Sequence, residues 1–141
     1  MTSVKPGIVI LMADDDEDDR KAVEQAFVEL KLNFDLRFAV DGADIIDYLF
    51  LHRRYKEAKN APRPSLILLD LNMPRKNGHQ VLEEIRSDKT FHSVPIIVFS
   101  ASKDPKDIAK AYELGANAFI PKPATFDGFK QILTAFQEFW T

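Results

Sequence analysis

The chain contains no cysteine. That excludes disulfides, thiolate zinc sites and cysteine nucleophiles, and it suits a reducing cytoplasm. Nor does it contain an apolar run near the ~18 residues of a bilayer span, and the stretch from Ile8 to Ala13 is too short for a signal-peptide core. A location in the cytoplasm without membrane attachment is expected. There is no excess of basic residues either: 19 Lys+Arg stand against 22 Asp+Glu, a net charge of −3. Sequence-independent nucleic-acid binding, which needs a basic face to displace counterions, is therefore not expected. Repeats, low-complexity tracts and interior linkers are also lacking. What is present is the balance of a globular domain, 45% hydrophobic and 29% charged over 141 residues. That content excludes disorder and fits one domain of about 100–200 residues.

Short β-branched runs alternate with longer segments of helical period. Ile8–Ala13 and Ser65–Leu69 are unbroken apolar runs, the mark of strands covered on both faces. Asp35–Val40, Pro95–Ser100 and Ala118–Ile120 read as three further strands. Helices are predicted over Glu17–Lys31, from Asp41-Gly42 onward, from Gly78 to about Asp88, from Asp104-Pro105 to a C-terminal Gly115, and over Phe126–Phe139. The pattern is (βα)5. It predicts a flavodoxin-like, doubly wound α/β fold with a parallel sheet in the order 2-1-3-4-5 and ligands beyond the C-terminal strand ends.

Those strand ends carry polar groups. Strand one runs into six consecutive acids, Asp14 to Asp19, while strand three ends in Asp70, strand four in Ser100, and Lys122 follows strand five. Most of Asp16–Asp19 is explained by the helix dipole, with Asp16 as N-cap. Asp14 and Asp15 are not, because they leave a buried strand directly. Together with Asp70 they would crowd three carboxylates, and like charges at close range raise one another's pKa. A divalent cation resolves this, and the donor set suits octahedral Mg2+ or Mn2+. An EF-hand fits at Asp14, Asp16 and Asp18 but fails where its glycine and bidentate glutamate belong, at Asp19 and Gln25. A cation beside an exposed carboxylate, a hydroxyl and an ammonium makes a phosphoryl site. Asp70 is the expected nucleophile, with Lys122 and Ser100 facing phosphoryl oxygens.

Asp14-Asp15, Asp70-Leu71-Asn72-Met73-Pro74 with Gly78, Ser100-Ala101 and Lys122-Pro123 together resemble the receiver domain of two-component response regulators, over roughly Ile8 to Phe139. The resemblance implies that Asp70 accepts a phosphoryl group from a sensor histidine kinase or a histidine phosphotransfer protein. It implies direct metal ligation by Asp15, ligation largely through water by Asp14, and a further ligand in the Asn72 backbone carbonyl. It also implies a cis Lys122–Pro123 peptide, a switch pair in Ser100 and Phe119, and tuning of dephosphorylation by Asn72 and Ser102. Because the chain ends at Thr141, just after the fifth helix, a stand-alone receiver spanning 1–141 (core about 8–139) without an output domain is expected. Its downstream target is then a protein.

The long Asp41–Pro64 segment and the aromatic last helix resemble small receivers paired with bacterial phytochromes. The basic run His52–Lys56 reads as a solvated helix end. Phe129, Ile132, Phe136 and Phe139 form a stripe that is chiefly core, and Trp140 suggests homodimerisation through the fourth- and fifth-helix face. Two competing readings exist. A phosphohydrolase using an aspartyl nucleophile would place a second Asp at position 72, which is Asn. A phosphorylation-independent adaptor would have lost one of the site residues.

Overall fold

A computed structural model describes residues 8–139. The apolar runs form five parallel strands: β1 (Val9–Ala13), β2 (Asp35–Ala39), β3 (Leu66–Leu69), β4 (Ile96–Ser100) and β5 (Ala118–Pro121). Their order is β2-β1-β3-β4-β5, as the alternation predicts. Five helices connect and close them: α1 (Glu17–Glu29), α2 (Gly42–Leu49), α3 (Gly78–Ser87), α4 (Pro105–Glu113) and α5 (Phe126–Phe139).

The period of two along the central strands splits the core into two layers. Leu11, Ala13, Ile67 and Leu69 face Ile45, Val81, Leu82, Ile85 and Ala111 from α2, α3 and α4. Ile10, Met12, Leu66 and Leu68 face Val23, Ala26 and Phe27 of α1 and Phe129 and Leu133 of α5. Phe129 of the expected α5 stripe is core and Ile132 and Phe136 pack against it, with Leu133 deeper still; the Phe139 side chain and Trp140 lie outside what the structure describes.

Helix ends follow local chemistry. The Asp16 side chain accepts from the backbone N–H groups of Asp18 and Asp19. Asn77 and Gln80 form a reciprocal capping box on α3. Gly115 sits at φ +108° just past α4, in the left-handed region that the end of the helix requires. Arg86, partly buried, donates to the carbonyls of Phe91, His92, Val94 and Gly115 and to Asn117 Oδ1, riveting the α3–β4 and α4–β5 loops together.

The segment after α2 departs from expectation. It makes two single 3-10 turns, Arg53–Tyr55 and Ala58–Asn60, and is more than a solvated helix end. Tyr55 is buried and donates its hydroxyl to Asp44 Oδ1, and Arg54 pairs with the same carboxylate at 3.0 Å. A buried carboxylate needs such donors, and Asp44 recruits them from the basic run.

Candidate functional site

Parallel pairing brings the C-terminal ends of β1 and β3 side by side: Ala13 pairs with Leu69, and the Asp70 N–H donates to the Ala13 carbonyl at 3.0 Å. The next residue on each chain is therefore an aspartate at one sheet edge. One carboxylate oxygen from each of Asp14, Asp15 and Asp70 lies within 4.8 Å of the others. Asp14 is fully buried, Asp70 is 6% exposed, and Asp15 faces solvent. Asp70 is thus more covered than the sequence suggests, because Lys122 lies against it.

Lys122 follows β5 and reaches across the sheet edge. Its Nζ stands 2.7 Å from Asp14 Oδ2, 2.7 Å from Asp19 Oδ2 and 3.2 Å from Asp70 Oδ2. Asp19, assigned above to the helix dipole, therefore belongs to the site as well. It is the third residue of α1, and the first turn of the helix brings it back over the strand end. Nothing local sets it apart from its acidic neighbours, because its partner Lys122 lies past β5.

The electrostatics follow from burial. Asp14 Oδ1 accepts the Asp16 N–H, whereas the buried Oδ2 faces Lys122 without a hydrogen bond of good geometry. Burial, above all, pushes the Asp14 carboxyl up to about 6; Lys122 and the Asp16 N–H pull it down, and the charge of Asp70 adds only a small upward push. Desolvation thus outweighs the like-charge crowding expected from the sequence. Burial pulls the Lys122 ammonium the other way, yet the adjoining carboxylates of Asp14 and Asp19 override it and hold its pKa above the usual lysine range. Three carboxylate donors, one with an orphaned buried oxygen, fit a hard divalent cation.

The other expected residues are distributed around this centre. Ser100 is fully buried at the end of β4, and its carbonyl accepts the Lys122 N–H at 2.9 Å. Asn72 is exposed in the loop after β3. Ser102 donates to Asp107 Oδ2 at 2.7 Å and accepts the Asp104 N–H, so its hydroxyl serves the start of α4. Phe119 is half-buried against the α2–α3–α4 layer, and its N–H donates to the Tyr112 hydroxyl at 3.0 Å. The expected cis bond is absent: no peptide among the described residues is cis, Lys122–Pro123 included. Trans is the lower-energy isomer even before proline, and three carboxylates already aim the lysine.

Residues 10–134 match the response regulator receiver domain family. The chain belongs to this family. Rcp1 of Synechocystis is 30% identical over 135 residues, covering 96% of this chain and 90% of Rcp1. The phosphorylated cyanobacterial phytochrome response regulator RcpA superposes with a TM-score of 0.85 at 35% identity, covering 94% of this chain and 93% of RcpA. RPA3017, of red-light signalling in R. palustris, gives 0.87 at 34% identity, with 95% and 94% covered. The Mn2+-bound form of Rcp1 gives 0.83 at 30% identity, with 94% of each chain covered. As a receiver domain, this chain is a module of two-component signalling, a family that takes phosphoryl groups from histidine kinases. No described helix is long and apolar enough to cross a membrane.

Proposed function

We propose that this receiver works as a single-domain signalling protein, 1–141, that is phosphorylated on Asp70. The observation that carries the reading is the meeting of Asp14, Asp15, Asp70 and Lys122 at one sheet edge. An Asp70 carboxylate oxygen attacks the phosphorus of a phosphohistidine. An O–P bond forms as the P–N bond breaks, and the electron pair stays on the imidazole nitrogen. Asp14, Asp15, Asp70 and the Asn72 carbonyl hold Mg2+ or Mn2+, which when bound neutralises charge on the transferring phosphoryl group. Lys122 supplies a point charge to a phosphoryl oxygen, and its reach to Asp70 supports that role. The Ser100 hydroxyl donates to another oxygen and, with Phe119, carries the switch. Asn72 and Ser102 tune hydrolysis; with neither an acid nor a base at these positions, self-dephosphorylation is slow.

The donor is a sensor histidine kinase of phytochrome type. The likeness to RcpA, Rcp1 and RPA3017 supports this choice over other kinases. The chain acts in the cytoplasm, passes its signal to a protein target, and pairs with a second copy through the α4–α5 face. Tyr112, 49% exposed on α4, and an apolar groove of about 350 Å3 beside Ala135 and Phe136 of α5 support that pairing.

The test is incubation with acetyl phosphate and Mg2+, followed by intact mass spectrometry. A gain of one phosphoryl mass that is absent from Asp70→Asn is expected. Repeated turnover of acetyl phosphate would favour a hydrolase, and no adduct a phosphorylation-independent adaptor. Phosphotransfer from a panel of histidine kinases then identifies the donor.

A further inference from the structure

At the opposite end of the sheet from the carboxylates, where α2 ends and β3 and β4 begin, a groove of about 360 Å3 opens on the surface. Its lining is mainly apolar and includes Tyr48, Phe50, Leu51, Pro62 and Phe91. Phe50 and Phe91 meet edge to face at 5.5 Å, and the Arg63 guanidinium lies 4.9 Å over the Phe91 ring. A volume of this size takes one or two apolar side chains and is too open to enclose a small ligand.

Two features mark the groove as more than a packing defect. Leu51, 39% exposed at its edge, and the nearby Arg53 both stand in the left-handed region, at φ 57° and 54°. Such strain in non-glycine residues persists where the surrounding structure demands it, and it concentrates at binding sites. The charge is also one-sided. Between Phe50 and Pro64 the chain has five Lys or Arg and a single acid, Glu57, a local charge of +4 in a chain of net −3. Two of these cations are committed: Arg54 to Asp44 and Arg53 to Asp47. Lys56, Lys59 and Arg63 remain exposed; among the described residues only Lys59 of the three lies near a carboxylate, Glu57 at 4.0 Å, while Arg63 donates to the Thr90 carbonyl. Beyond Phe50, on the α3 side, Glu83 and Glu84 line a neighbouring depression, so an acidic occupant is steered towards the 52–63 side.

We infer that this groove is a docking site for an acidic segment of a partner protein that carries an aromatic or aliphatic anchor. The anchor seats between Phe50, Leu51 and Phe91, and its flanking carboxylates face Lys56, Lys59 and Arg63. Because the site lies across the sheet from Asp70, an occupant leaves the phosphoryl pocket open. The partner can stay bound through a phosphorylation cycle.

The test uses the full chain, 15N-labelled, and a fluorescein-tagged short peptide of Glu and Asp interrupted by Leu and Phe. Saturable binding is expected, with amide shifts confined to the groove. Affinity should fall roughly tenfold in Lys56→Glu/Lys59→Glu and in Arg63→Glu, and fall with added salt. Acetyl phosphate labelling of Asp70 should be unchanged in all of them. Melting curves confirm that the variants fold, and the exposed lysine pair keeps the test valid should Arg63→Glu disturb Phe91. Absence of binding at about 1 mM peptide would overturn the inference. So would equal binding of a control peptide with Ser in place of Leu and Phe, or shifts centred elsewhere. Concentration-dependent shifts in the groove without peptide would assign it to a second copy of this chain and overturn it too.

Discussion

At the scale of single residues, Asp14 holds the most consequence. Its carboxyl is pushed up to about 6, chiefly by burial. Any cation binding there competes with a proton below that pH. Mg2+ affinity should therefore fall by about tenfold for each pH unit below 6, readable by calorimetric titration. The sign for stability is the reverse. A carboxyl with a folded pKa above its ordinary 3.8 costs stability when charged, and the cost is fully present above pH 6. It fades as pH falls towards 3.8. Asp14→Asn keeps an acceptor for the Asp16 N–H while removing the buried charge. The metal-free variant should be more stable by about 1–3 kcal/mol in urea melts, yet fail to bind Mg2+. A variant that is less stable, or one that still binds the ion, would contradict this account.

At the scale of elements, the loop after β3 and helix α4 behave differently. A Cβ at Gly78 would stand 2.4 Å from the Asp70 carbonyl oxygen and 2.7 Å from Leu71 Cα, backbone atoms with no room to yield. Gly78→Ala should cost roughly 1–3 kcal/mol and weaken Mg2+ binding by shifting Asp70. Helix α4 is loosely held by comparison. Only Ala111 of its residues is buried, against four in α3, and its ties are side-chain hydrogen bonds at Ser102, His79 and Tyr112. Its amides should exchange faster than those of α3, and beryllofluoride with Mg2+ should shift those of α4 and Phe119. Unchanged spectra there would remove the switch. Strand order and nearly all helix limits were legible in the sequence, because apolar period and capping residues are local signals. The carboxylate cluster was legible because parallel strands bring equivalent ends together. Asp19, Tyr55 and the α2-to-β3 segment were not. Their partners lie on other elements, so only the tertiary arrangement reveals that Asp19 turns to Lys122 and Tyr55 to Asp44. The trans Lys122–Pro123 bond escaped for the same reason.

At the scale of the whole molecule, charge is polarised along the strand axis. Acids converge at the C-terminal edge of the sheet, and the basic segment from Phe50 to Pro64 lies at the other. The two ends are therefore free to serve different partners, with α4 and α5 on the flank between them. If that flank pairs two copies, sedimentation velocity should report a dimer at high micromolar concentration, strengthened by beryllofluoride. A monomer under both conditions would remove the pairing.

Lys122, set among Asp14, Asp19 and Asp70, has a wider consequence. The protein carries its own tethered counter-ion, so the acidic cleft does not have to wait for magnesium before the chain can collapse around it. Ion uptake then adds a second positive charge beside Lys122 on a finished scaffold. Readiness to receive a signal then depends on ion binding to a folded chain, with no refolding step in between.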